Sequence, residues 1–255
     1  MIRVENLNKT FDGRLVLDNI SVTFETGKTN LIIGRSGSGK TVLLKSIVGL
    51  HEPDNGEIWF EDILFNNLDF EERKKIREQM GMLFQGSALF DFFTVEQNVR
   101  FPLDMFTGKT LEEKTERVNF CLKRVDIINS NKLYPSELSG GMKKRVAIAR
   151  AIALNPKYLF CDEPNSGLDP LTAILIDELI KELTEEYSMT TIVNTHDMNS
   201  VVEIGEKVIF IHEGIKCWEG TNKEILHSDN QILNDFVFAN SLAKQLKSTE
   251  NNNSV

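Results

Sequence analysis

The eight residues Gly34-Arg35-Ser36-Gly37-Ser38-Gly39-Lys40-Thr41 constrain this chain more than any other stretch. They fit the pattern G-x-x-x-x-G-K-[ST]. They follow an apolar run, Leu31-Ile32-Ile33, and precede a helical pattern carried by Val42, Leu43 and Ile47. In a strand–loop–helix context the glycines let backbone N–H groups converge on phosphate oxygens, at the positive end of the helix. Gly34, Arg35, Ser36, Gly37, Ser38 and Gly39 form the cradle. Lys40 is expected to reach the β- and γ-phosphates, and Thr41 Oγ1 to bind Mg2+.

The strands and helices around this loop set the fold class. Ile2, Val4 and Leu7, then Ile20, Val22 and Phe24, alternate as strands about a turn at Phe11–Arg14, which predicts an N-terminal antiparallel β layer. A helix over 40–50 and a turn at 53–56 lead to a strand at Glu57–Phe60. Charged residues 70–79 read as a helix, and Met80–Phe84 as a buried strand ending at Gln85. From about 86 to 155 the pattern turns helical. Thr110 opens a helix with an apolar stripe of Leu111, Val118, Leu122 and Val125, and Ser139 opens another that stops before Pro156. Strand signals return at Tyr158–Cys161, Thr190–Val193 and Val208–Ile211, with a helix capped by Asp169 and Pro170 between the first two. Strands alternating with helices predict a parallel sheet. The expected fold is α/β, with a core of about 1–85 and 156–228 and an inserted helical lobe of about 86–155. A helical extension at 229–247 carries a stripe of Ile232, Phe236, Ala239, Ala243 and Leu246. The Asn- and Ser-rich residues 248–255 are expected to be disordered.

Composition narrows the classes. With 41% hydrophobic and 26% charged residues the sequence reads as a soluble intracellular globular protein. A net charge of −9 argues against a large nucleic-acid footprint. Cys121, Cys161 and Cys217 have neither metal nor disulfide spacing. The start lacks a signal peptide's apolar core, and no run approaches the roughly 18 apolar residues of a span. Work at a membrane would go through a partner.

Two further motifs carry chemistry. Tyr158-Leu159-Phe160-Cys161 delivers Asp162 and Glu163 to the C-terminal end of a strand, where open α/β sheets bind ligands. Asp162 is expected to hold Mg2+, and Glu163 to polarise the attacking water. Leu138-Ser139-Gly140-Gly141-Met142 opens a helix whose free N–H groups suit an anion. The chain's own phosphate loop serves its own nucleotide, so this second site points to the γ-phosphate of ATP held by another subunit.

Taken in order, these motifs resemble the nucleotide-binding subunit of ABC transporters over about residues 1–225. The resemblance implies an ATPase with the P-loop NTPase core of that fold, using ATP and Mg2+. It implies a homodimer working under an integral membrane permease at the cytoplasmic face of the inner membrane. Gln85 then matches the glutamine that senses Mg2+ and contacts the permease. Ser166-Gly167-Leu168-Asp169 matches the loop crossing the dimer interface, and His196 the switch histidine at the γ-phosphate. Phe11 matches the adenine-stacking aromatic, with Val16 beside the same ring. Met142 stands where the family usually has Gln, and a thioether cannot replace the amide's hydrogen bonds. Met142, residues 83–91 and Asn98–Leu103 resemble the Mla branch (maintenance of lipid asymmetry), which implies phospholipid cargo and a periplasmic MCE lipid-binding partner. The same motifs also serve ATPases for small polar solutes. A soluble ABC ATPase acting on ribosomes or DNA fits less well, because the chain has one phosphate loop and no heptad insert. The dense apolar run 89–106 is expected to fill the lobe and to leave a few side chains beside Gln85 as a groove for a partner helix.

Overall fold

A computed structural model describes residues 1–238. Strands β1 (Ile2–Phe11) and β2 (Arg14–Phe24) form an antiparallel hairpin. Its two-residue turn, Asp12-Gly13, has φ of 48° and 78°, the left-handed pair that a tight hairpin needs. Strand β3 (Thr29–Ile33) runs through the phosphate-loop motif into α1 (Lys40–Ile47). Strands β4 (Asn55–Phe60) and β5 (Ile63–Leu64) complete a four-stranded antiparallel sheet in the order β2-β1-β4-β5. Helix α2 (Phe70–Arg77), capped by Asp69 and Glu72, leads to β6 (Met80–Leu83).

The helical lobe follows. It holds α3 (Val95–Phe106), α4 (Leu111–Arg124) and α5 (Gly140–Ala151). Thr94 and Thr110 close capping boxes with Gln97 and Glu113, and Ser139 caps α5. The chain returns through β7 (Tyr158–Asp162), α6 (Pro170–Glu186), β8 (Thr190–Thr195), α7 (Met198–Ile204), β9 (Lys207–His212), β10 (Ile215–Gly220) and α8 (Gln231–Val237).

The second sheet has the order β10-β9-β3-β8-β7-β6 and is parallel except at β10. Alternation along its strands separates two cores. Ile32, Phe160, Ile192, Ile209 and Ile211 face α1 and the antiparallel sheet. Leu31, Ile33, Leu159, Cys161, Val193, Val208 and Phe210 face the helices. Strands buried on both faces read as unbroken apolar runs, which is why β3 and β7 were legible.

Three expectations need correction. Leu111 is 65% exposed, because none of the first seven residues of α4 is buried. The lobe covers only Val118, Cys121, Leu122 and Val125. In the run 89–106, Phe92, Met105 and Phe106 are exposed, in line with the few expected, but of its apolar residues only Val95, Val99 and Leu103 are buried, and Leu89, Phe90, Phe93 and Phe101 are half-buried. In α8 the buried residues are Leu233 and Val237, while Ile232 is exposed and Phe236 tilts against Phe210 at 5.3 Å. The rest of that stripe, and the disorder expected of 248–255, lie outside the described residues.

Candidate functional site

The parallel sheet collects the candidate residues along one edge. Ile33 pairs with Thr195, Asp162 with Asn194, and Leu83 with Cys161, so β3, β8, β7 and β6 end together. Their C-terminal loops carry Gly34–Thr41, His196, Glu163 and Gln85.

Backbone conformation builds the phosphate loop. Gly34, Gly37 and Gly39 have φ of 151°, 79° and 106°. A Cβ on Gly34 would lie 2.2 Å from the Ile211 carbonyl oxygen, and one on Gly39 would lie 3.0 Å from the Val16 carbonyl oxygen. Neither position admits a side chain. Val16 thus buttresses the loop through its backbone. The Lys40 ammonium is buried and donates to the carbonyls of Gly34 and Arg35 at 2.9 and 3.1 Å. Burial lowers its proton affinity, opposed by the charges of Glu163 and Asp162. Arg35 and Ser36 are exposed at the rim. Ser38 Oγ is buried and has no hydrogen-bond partner. Phe11 lies at the far end of β1. Lys9 Nζ sits 5.1 Å from its ring centroid and the His51 ring meets its edge at 5.2 Å.

The acidic pair sits beside this loop. Thr41 Oγ1 donates to Asp162 Oδ1 at 3.1 Å, and Asn194 Nδ2 donates to the same oxygen at 3.1 Å. A hydroxyl and a carboxylate meeting at a phosphate loop are the hard oxygen donors that suit Mg2+. Glu163 follows in the left-handed region, φ 48°, with its N–H on the Asn194 carbonyl at 3.0 Å. That backbone turns its carboxylate between two loops. Gln85 Nε2 donates to Oε2 at 2.8 Å, and His196 Nδ1 lies 3.3 Å from Oε1. The Gln85 amide therefore meets Glu163, whereas the oxygens of Thr41 and Asp162 meet each other.

A second group forms elsewhere on the molecule. Ser139 Oγ accepts the Met142 N–H at 3.3 Å and caps α5. A Cβ on Gly141 would lie 2.7 Å from Thr172 Cγ2, so glycine lets α5 and α6 touch. An open cavity of about 590 Å³ is lined by Ser139, Gly140, Gly141, Met142, Gly167 and Asp169, among others, and by no residue of 34–41. The motifs thus form two sets that do not meet within one chain: the phosphate loop with Asp162, Glu163, Gln85 and His196, and the α5 start with Asp169.

Sequence reasoning missed Lys144. Its ammonium, on α5, is buried and donates to the Gln85 carbonyl, with the Glu163 carbonyl at 3.5 Å. Burial lowers its proton affinity, and the charges of Glu163 and Asp162 raise it. The acidic pair therefore lies between two buried cations, Lys40 and Lys144. The available signal was a lysine on the stripe of Ala147, Ile148 and Ala151. Asn98 was also missed. It is fully buried and bonds the carbonyls of Phe90, Phe93 and Thr94, pinning the aromatic loop onto α3.

Residues 17–166 match the ABC transporter family. The chain belongs to that family. A methionine import ATP-binding protein of Carboxydothermus hydrogenoformans is 39% identical to this ABC chain over 241 residues, 93% of this chain and 71% of the relative. An intermembrane phospholipid transport ATP-binding protein of Haemophilus influenzae, MlaF, is 38% identical over 237 residues, 93% of this chain and 90% of the relative. A solved dimeric ATP-binding cassette, in a post-hydrolysis state with ADP and Pi, superposes with a TM-score of 0.80 at 35% identity. It covers 87% of this chain and 99% of that one. The chain has the ABC ATPase fold, and it is an ATPase. Among the described residues no helix is long and apolar enough to cross a membrane.

Proposed function

We propose that two copies of this ABC ATPase close around two ATP molecules and so drive a separate membrane permease. The observation that carries this reading is the division of the motifs into two sets lying apart on one chain. Closure of two copies brings the α5 start of one onto the phosphate loop of the other. Lys40 and the loop N–H groups bind the phosphates, with Phe11 under the base. Thr41, Asp162 and Gln85 would hold Mg2+, which would supply charge neutralisation to the phosphates. Glu163 accepts a proton from the attacking water, held by Gln85 and His196 on either side. His196 contacts the γ-phosphate from the same copy, and Ser139, Gly140, Gly141 and Asp169 complete the site from the other. Phosphate products that repel one another then reopen the pair. Permease docking falls to the exposed Phe92 and Met105, on the aromatic loop that follows Gln85 and on α3.

For cargo, the small polar solute is the better supported reading. Several similar relatives are methionine import proteins. A second reading, phospholipid with an MCE carrier at the inner membrane, is favoured by the MlaF relative, by Met142 and by the segment 82–103. Both would be tested on the chain purified with its permease in proteoliposomes. Stimulation of ATP hydrolysis by an amino acid, with no lipid exchange, supports the first. ATP-dependent phospholipid transfer, with no response to amino acids, overturns it.

A further inference from the structure

Helix α6 buries one carboxyl that the reaction does not use. Asp177 is 2% exposed, on the stripe formed with Ala173, Ile176 and Ile180. A buried acid is costly unless it is hydrogen-bonded. Its Oδ2 accepts from Asn165 Nδ2 at 2.7 Å, and the same amide nitrogen donates to Ser200 Oγ at 3.1 Å. The Ser200 hydroxyl lies near the Asp177 carboxyl and lowers its proton affinity. The three side chains close a triangle between segments far apart in sequence.

The corners of that triangle matter. Asn165 stands two residues after Glu163 and opens the loop 166–169, which ends at Asp169 in the second set of motifs. Ser200 is fully buried on α7, the helix that follows His196. A cavity of about 140 Å³ lies beside the triangle, lined by Asn165, Leu168, Pro170, Asp177, Asp197 and Asn199, among others. Asp177 Oδ1 and Asn165 Oδ1 are buried without a hydrogen-bond partner. Strands β7 and β8 pair nearby and α6 packs on α7, and Asn165 adds a buried polar link between the 166–169 loop and α7.

We propose that Asp177 is a positioning residue. Through Asn165 and Ser200 it locks the 166–169 loop, aimed at the partner copy, to the segment that carries His196. The two halves of the shared nucleotide site then move as one unit. This rests on the two-copy site proposed above, and nucleotide affinity reports on that site separately.

The test uses the full-length chain in steady-state ATP hydrolysis, with binding of a fluorescent ATP analogue measured in parallel. For Asp177→Ala, kcat falls about tenfold while KM and analogue affinity stay within about twofold, the pattern of a lost orienting contact. Asp177→Asn keeps kcat within about threefold, because its carboxamide oxygen still accepts from Asn165. The pair Asn165→Ala with Asp177→Ala is no worse than Asp177→Ala alone, since one link is cut twice. A folded Asp177→Ala with wild-type kcat overturns the proposal, as does an Asp177→Asn no better than Asp177→Ala. If Asp177→Ala does not fold, Ser200→Ala decides: a kcat at least about threefold lower at unchanged KM supports it, and unchanged kcat overturns it. Failure of the wild-type chain to bind the analogue would instead sink the site reading.

Discussion

Replacing Asp177 by Asn should make the protein more stable, and the gain should depend on pH. Burial is the largest influence on the Asp177 carboxyl. Hydrogen bonds from Ser200 and Asn165 oppose it, and repulsion from Asp197 and Glu203 adds to it, leaving the pKa pushed up from 3.8 to about 6. Cys161, fully buried and held neutral, also faces this carboxyl. The usual sign for an acid is therefore reversed. The folded state holds the proton more tightly than the unfolded chain, so stability is lost as pH rises from about 4 to about 6. The rise from 3.8 to about 6 corresponds to about 3 kcal/mol above pH 7, and to roughly half of that at pH 5. Asn carries no such cost, and as an imperfect stand-in for the neutral acid it gives up about 1 kcal/mol of hydrogen bonding. The net gain is about 2 kcal/mol at pH 7.5 and under about 1 kcal/mol at pH 5. For a domain of this size, about 2 kcal/mol is a melting-temperature rise of about 4–8 °C. Urea unfolding of both proteins at pH 5, 6 and 7.5 measures it. A stability difference that does not change across that range would refute the reasoning, and so would a less stable variant at pH 7.5.

Lys144→Met keeps the buried stem but leaves the Gln85 carbonyl without its donor; kcat should fall at least about tenfold, with ATP affinity within about threefold, in steady-state kinetics and equilibrium binding. Gly141→Ala places a methyl 2.7 Å from Thr172 Cγ2, and should cost about 1–3 kcal/mol in urea unfolding. Combining it with Thr172→Ser, which removes that methyl, should recover most of the loss. Phe92→Asp, at a position 71% exposed, should abolish co-purification with the permease and leave ATP affinity unchanged.

Legibility tracked how local the signal was. The phosphate loop, the Asp162–Glu163 pair and the α5 start could be read because each is a short pattern at the end of one element. Buried strands such as Leu31-Ile32-Ile33 were legible as apolar runs. Strand β10 was missed because Ile215–Gly220, half-exposed at the sheet edge, has no such run. Lys144, Asn98 and Asp177 were missed for another reason. Each is a polar side chain on a buried face, with partners 4 to 59 residues away in sequence, and only the fold brings them together. Leu111 shows the converse: its spacing placed it on the apolar stripe, but no residue of the first seven in α4 is buried.

The claim beneath all of this is that one copy cannot complete its own nucleotide site. Light scattering of the Glu163→Gln protein, with and without Mg-ATP, addresses it directly. Hydrolysis should slow about 10²–10⁴-fold, and the nucleotide-loaded protein should run as a dimer. Adding Ser139→Arg should return it to monomers that still bind ATP. A monomer that binds Mg-ATP and hydrolyses it at the full wild-type rate would contradict the account.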